Sequence, residues 1–126
     1  MILLDTHVVM WLHGNQRDRF SRRTHAFLDR EQLGLSPFVQ LELDLLHEIG
    51  RARQPAQVVI DDLTTRLGLI VADAPISAVC RAATELTWAR DPFDRLICAH
   101  AVASVLPLVT KDESIRRNLS LAWWVE

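Results

Sequence analysis

Carboxylates stand at three places where an apolar run of this chain meets polar sequence. Asp5 follows ILL, Asp112 follows LVTK, and Asp91 with Asp94 stands at the entrance to LICAHAVASV. Acids gathered at one strand edge repel one another strongly unless a divalent cation, which prefers oxygen ligands, holds them together. The chemistry open to such a set is therefore the capture of a hard metal ion. Each acid also has a plainer reading. Asp is a favoured helix N-cap, because its side chain accepts from backbone N–H groups left unpaired at the helix start and its charge suits the positive end of the dipole. Asp91 before Pro92 is a good cap sequence by itself.

Glu42 resists the plainer reading. On a wheel at about 100° per residue, Phe38, Val39, Leu41, Leu43, Leu45, Leu46 and Ile49 occupy one arc of roughly 200°, and Glu42 falls inside it, at about 40° from Phe38. A lone carboxylate on a buried face costs several kcal/mol or stays protonated, so Glu42 needs a partner: a buried arginine, or a metal shared with other acids. Phe93 to Val105 leaves little solvent-facing stripe beyond Arg95 and His100, which directs Asp94 into a cleft in the same way.

These acids must be positioned by elements, and the chain reads as strands alternating with helices. Strands are predicted at Ile2 to Leu4, Leu33 to Leu35, Leu69 to Val71 (buried), Leu108 to Val109 and Leu121 to Val125. Helices are predicted from His7 to His13, from Arg22 to Arg30 with Ser21 as cap, from Pro37 to about Ile49 with Gly50 as stop, and from Pro55 to about Leu67 with Gly68 as breaker. Further helices are predicted from Ile76 to Leu86 behind an Asp73 cap, from Phe93 to Val105, and for a short turn after Asp112. The alternation predicts an α/β fold, a single domain over residues 1–126 with a mostly parallel central sheet of four to five strands and helices on both faces. In such sheets ligands gather outside the carboxyl ends of the strands, where these acids fall.

Composition sets limits on function. Lys and Arg number 14 against 16 Asp and Glu, so no global positive field announces a nucleic-acid partner, and any such binding must rely on local arginines or a metal. The start, MILLDTH, lacks the basic segment and long apolar stretch of a signal peptide, and the apolar run from Leu96 to Val109 is interrupted by His100, Ser104 and Pro107. A cytoplasmic protein without a membrane span is the expectation. Cys80 and Cys98 are expected as buried reduced thiols, and Trp11, Trp88, Trp123 and Trp124 as core or interface residues. His7, His13, His25, His47 and His100 show no zinc spacing and are expected to pack or to hydrogen-bond.

The chain as a whole resembles the PIN-domain ribonucleases, and within them the VapC-type toxins of toxin–antitoxin pairs. The resemblance rests on LLDTHVVMW, LSPFVQLEL, RDPFDRLICAHA and LVTKDESI, in that family's order and with nearly its spacing. It implies a catalytic and metal-binding quartet of Asp5, Glu42, Asp94 and Asp112, with Asp91 as an accessory acid and Thr6 and Thr110 as hydroxyls lining the pocket. Leu41 stands where the family more typically has an aromatic residue. The implied cofactor is Mg²⁺ or Mn²⁺, and the implied reaction is endonucleolytic cleavage of RNA by a metal-activated water. Arg51, Arg53 and Arg95 are candidate phosphate contacts. The implied partners are an RNA substrate, a cognate VapB-like antitoxin and a second copy of the chain in a homodimer.

Two other readings compete. A phosphoacceptor domain of the response-regulator type would use Asp5 as a metal acid, Asp73 after LIVA as acceptor, and Thr110 with Lys111 as the switch. It leaves Glu42 and Asp94 without work and lacks an acidic pair after the first strand. A catalytically inactive interaction domain is the third.

Overall fold

Ile2–Leu4 forms β1, the middle strand of a five-stranded, all-parallel sheet in the computed structural model, which describes residues 1–126. All three side chains are fully buried, and because successive strand residues point to opposite faces, both faces of the sheet are covered here. The strands β2 (Leu33–Leu35), β3 (Ile70–Val71), β4 (Leu108–Val109) and β5 (Ala122–Trp123) complete it in the order β3-β2-β1-β4-β5. The chain therefore builds outward from β1 on one side through β2 and β3, then crosses back to add β4 and β5 on the other. The reversal lies between β1 and β4, the position at which open α/β sheets leave a crevice.

Seven helices connect the strands: α1 (Thr6–His13), α2 (Arg22–Arg30), α3 (Pro37–Glu48), α4 (Ala56–Leu67), α5 (Ile76–Glu85), α6 (Pro92–Ser104) and α7 (Glu113–Asn118). Their starts follow local chemistry. Ser21 accepts from Thr24 N–H, Ser36 from Phe38 N–H with Pro37 in the first turn, and Asp91 from both Phe93 and Asp94 N–H with Pro92 in the first turn. Gly68 ends α4 in the left-handed region (φ 69°), where its N–H reaches the Leu63 and Thr64 carbonyls. Val105 ends α6 in the same conformation at φ 52°, without glycine's freedom.

The core is continuous across the sheet. Ile97, Cys98 and Ala101 of α6 are buried against it, the Ile97 side chain alone contributing about 2 kcal/mol. Trp11, Phe20 and Trp124 pack edge to face or tilted, with centroids about 6 Å apart. The Ser21 and Thr24 hydroxyls both donate to the Val125 carbonyl (2.7 and 3.0 Å), pinning the segment after β5 to α2. A second clamp joins α1 to α4. Asp62 accepts both Arg66 Nε and Nη2 and lies 2.7 Å from His13 Nδ1, while Arg66 also donates to the Leu12 and His13 carbonyls.

Several expectations need correction. Ile70 and Val71 are exposed, because β3 is an edge strand with one neighbour instead of a buried one. Cys80 is exposed on α5, whereas Cys98 is buried as expected. The broad apolar arc of α3 is split: Val39 and Leu43 are buried, but Leu41, Leu45 and Ile49 face solvent. Asp73 accepts from Ala74 N–H and does not cap α5, whose cap position is Pro75. A 3-10 turn at Arg17–Arg19 adds to the predicted elements, and the last strand is shorter than predicted.

Candidate functional site

Register sets the first pair. Leu4 lies opposite Val109 in the parallel ladder, so the next residues, Asp5 and Thr110, emerge side by side at the carboxyl edge of the sheet. Thr110 Oγ1 donates to Asp5 Oδ2 at 2.6 Å, and Thr6 N–H donates to Asp5 Oδ1 at 2.8 Å. Each Asp5 oxygen thus has one fixed donor and keeps a lone pair for something else. Asp5 is 7% exposed and both threonines are fully enclosed, so the orientation is locked by packing as well as by hydrogen bonds.

Glu42 reaches the same edge from α3. Thr6 Oγ1 donates to Glu42 Oε1 at 2.5 Å, so one residue, Thr6, holds Asp5 through its backbone and Glu42 through its side chain. The partner required for Glu42 is this hydroxyl, and no arginine approaches it. Asp94 comes from the first turn of α6, the helix packed against α3. Asp112 caps α7, with Oδ1 accepting from Ile115 N–H and its own N–H donating to Thr110 Oγ1. Asp91 caps α6 and is exposed.

The electrostatics place these acids in one field. Burial, then the charges of Asp5, Asp91, Glu42 and Asp112, push the Asp94 carboxyl up to about 7. Burial also raises Glu42, against the Thr6 hydrogen bond, with the Asp5 and Asp91 charges adding to the rise. It raises Asp5 despite the donors from Thr110 and Thr6. The Cys98 thiol beneath them is pushed up to about 12 by burial and by the Asp5, Asp94 and Asp112 charges, which makes it unreactive. A site that disfavours its own negative charge is one that a cation would relieve. As the side chains stand, no three of the chain's His, Cys, Asp or Glu groups converge tightly enough to chelate one ion by themselves.

Two further polar residues belong to this edge, and sequence reasoning did not place them. His7, exposed beside Thr6, lies within electrostatic reach of both Asp5 and Glu42. His100 is buried in α6 with Nδ1 2.7 Å from the Ser36 hydroxyl that caps α3, tying together the two helices that carry Asp94 and Glu42. A histidine in an otherwise apolar helix, with a Ser-Pro cap elsewhere, was the signal available for that pair. Arg95 is engaged elsewhere: its guanidinium donates to the Ala83 and Thr84 carbonyls at the end of α5. Arg51 and Arg53 are exposed on the turn between α3 and α4. Asp73 follows β3, and β2 stands between β3 and β1, so acceptor and Asp5 would sit two strand spacings, about 10 Å, apart. That separation disfavours the phosphoacceptor arrangement.

A model of the PIN domain matches residues 2–118 of the chain. No curated protein matches it significantly in sequence. Among solved structures, a chain from VapBC2 of Rickettsia felis bound to a promoter DNA fragment is 22% identical, with 99% of this chain and 100% of that one covered and a TM-score of 0.70. A chain from DNA-bound VapBC of Salmonella typhimurium is 20% identical over 97% and 96% of the two chains, with a TM-score of 0.67. A chain from FitAcB of Neisseria gonorrhoeae is 23% identical over 99% and 97%, with a TM-score of 0.58. At these identities the likeness is one of fold.

Proposed function

The chain belongs to the PIN-domain family, and from that premise we propose that it is a metal-dependent endoribonuclease, the VapC-like toxin of a toxin–antitoxin pair. The observation that supports this reading is that Asp94 feels the charges of Asp5, Glu42 and Asp112 near the reversal point of the sheet, with Thr110 holding Asp5 and Thr6 holding Glu42.

The donor set suits Mg²⁺ or Mn²⁺. All the candidate ligands are carboxylate oxygens, and Mg²⁺ characteristically takes only one or two carboxylates, completing its shell with waters and substrate phosphate oxygens. An all-oxygen donor set fits that habit, whereas zinc favours His and Cys ligands. Asp5, Glu42, Asp94 and Asp112 are the residues we assign to share one or two such ions. When bound, the ion would supply Lewis acidity, making a water nucleophilic and offsetting charge on the attacked phosphate. The chain's own work is orientation: Thr110 and Thr6 fix Asp5, Thr6 fixes Glu42, and Asp94 must give up its proton to take part.

RNA as the substrate rests on the family, as does a cognate VapB-like antitoxin, supported by the recurrence of VapBC proteins among the fold matches. Self-association into a homodimer is supported by the exposed stripe Leu41, Leu45 and Ile49 on α3. No helix is long and apolar enough to cross a membrane.

The test is cleavage of single-stranded RNA by the purified chain with Mg²⁺ or Mn²⁺, beside Asp5→Asn and Asp94→Asn. The parent should cut only with metal present, and each folded variant should lose about 10²-fold or more. A folded parent that binds metal but cuts no RNA, or variants that cut at the parent's rate, would overturn the proposal. The first result, with antitoxin binding retained, would indicate an inactive interaction domain.

A further inference from the structure

Beside the acid site a cleft of about 420 Å³ opens between α1, α3 and the turn that joins α3 to α4. Its volume lies within the roughly 300–1,000 Å³ of small-ligand sites. His7, Met10 and Trp11 line it from α1, Leu43 from α3, and Arg51 and Arg53 from the turn. His7 links the cleft to the acids: it lines the cleft and lies within electrostatic reach of Asp5 and Glu42.

The two arginines are unspent. Arg30, Arg66 and Arg116 form ion pairs, Arg95 binds carbonyls, and Arg19 bonds Gln16 and lies over Trp11. Arg51 and Arg53, like six other arginines, make no ion pair and no side-chain hydrogen bond, and they are the two that line this cleft, in a chain whose net charge is −2. The turn that presents them is nevertheless held. Arg51 and Ala52 N–H groups both donate to the Leu46 carbonyl, His47 Nδ1 lies 3.0 Å from the Ala52 carbonyl, and Asp44 accepts from Ala56 N–H at 2.8 Å. Free cations on a fixed turn, over a cleft with an aromatic wall, match a phosphodiester carrying a base.

We propose that this cleft is a nucleotide subsite for single-stranded RNA, in which Arg51 and Arg53 receive the phosphates leading away from the scissile bond and His7, backed by Trp11, stacks on the adjacent base. The subsite rests on the ribonuclease reading for its link to cleavage. A strand with its phosphate at the acids would run into this cleft, which favours RNA over an acidic peptide as occupant.

The test uses the double variant Arg51→Glu/Arg53→Glu and the milder Arg51→Gln/Arg53→Gln, with melting curves to confirm folding. Both substituted positions are exposed on the turn. With the parent active, KM for a single-stranded RNA should rise at least tenfold in the Glu variant while kcat falls far less, and calorimetric Mg²⁺ affinity should stay put. RNA binding by Asp94→Asn carriers of the same changes should show a log K against log salt slope shallower by about 1.4, two contacts at about 0.7 each. Replacing the base next to the cut by an abasic site should weaken the parent about tenfold or more and the Gln variant equally, since stacking is left intact. Parent-like KM and salt slope in both double variants would overturn the subsite, as would loss of antitoxin binding with RNA binding intact. A parent that cuts no RNA would overturn the ribonuclease reading alone, because the salt-slope measurement needs no cleavage.

Discussion

Thr6 serves two carboxylates at once: its hydroxyl donates to Glu42 over 2.5 Å and its backbone N–H donates to Asp5 over 2.8 Å. Only the first bond depends on the side chain. Thr6→Val keeps the shape and removes the donor, so Glu42 loses the interaction that opposes its raised pKa. The variant should lose about 10- to 100-fold in metal-supported cleavage, the size typical when the partner of a ligating group is removed, and about 1 kcal/mol in stability. Thr6→Ser should recover most of the activity. Initial rates and urea denaturation check both, and a Val variant as active as the parent would dismiss Thr6 as an orienting residue.

Asp94 makes the metal-free protein sensitive to pH in a definite direction. Its carboxyl titrates at about 7 when folded against 3.8 in its ordinary state. Between those values the folded chain holds a proton that the unfolded chain has released. Asp94 therefore carries no penalty below about pH 4, destabilises increasingly as pH rises toward 7, and imposes its full penalty above. Asp94→Asn should melt a few degrees higher than the parent at pH 7.5 in EDTA, about 1 kcal/mol once solvent screening at a half-buried site is allowed for, and level with it near pH 4. The lowered His100, which destabilises the fold below about 6.5, is common to both proteins and cancels in the comparison. Adding Mg²⁺ should raise the parent's Tm more than the variant's. Equal melting at pH 7.5 would contradict the assignment.

Val105 holds a left-handed conformation at φ 52° with its side chain 75% exposed. A β-branched residue there costs about 1–2 kcal/mol, and no packing offsets it. Val105→Gly should stabilise the protein by about 1 kcal/mol, read as an increased urea midpoint at unchanged slope, with cleavage unaffected. Destabilisation would mean that the side chain is covered in the assembled protein.

The outward stripe of α3 offers a separate test. Ile49 is 66% exposed and Leu45 38%, so neither supports the monomer's core strongly. If two copies meet there, Leu45→Glu and Ile49→Glu should each convert a dimer to a monomer by light scattering at micromolar concentration, with monomer stability little changed. A parent that is already monomeric, or variants that remain dimeric, would place the contact elsewhere.

The elements were legible in the sequence wherever local chemistry settles them. Ser21, the Ser36–Pro37 pair, the Asp91–Pro92 pair and Gly68 mark helix ends through hydrogen bonds made within a few residues. What stayed hidden was long-range. Ile70–Val71 has the composition of a buried strand, and only the crossover that returns the chain to β1 leaves it at the edge. The α3 wheel shows an apolar arc without saying which part the monomer covers. Glu42 needed a partner by physical argument, but its identity as Thr6, 36 residues earlier, required the fold. Asp91 and Asp112 show why the capping reading and the chemical reading need not exclude each other: one Asp112 oxygen closes a helix start while the other has no partner.

The bond between Thr110 and Asp5 joins residues 105 apart in the chain. A nascent polypeptide still lacking β4 holds Asp5 through the neighbouring Thr6 N–H alone, with its second carboxylate oxygen lacking the Thr110 donor. On the proposed ribonuclease reading, the pocket is completed only when the last quarter of the chain has been made, so competence to cut RNA would arrive late in synthesis.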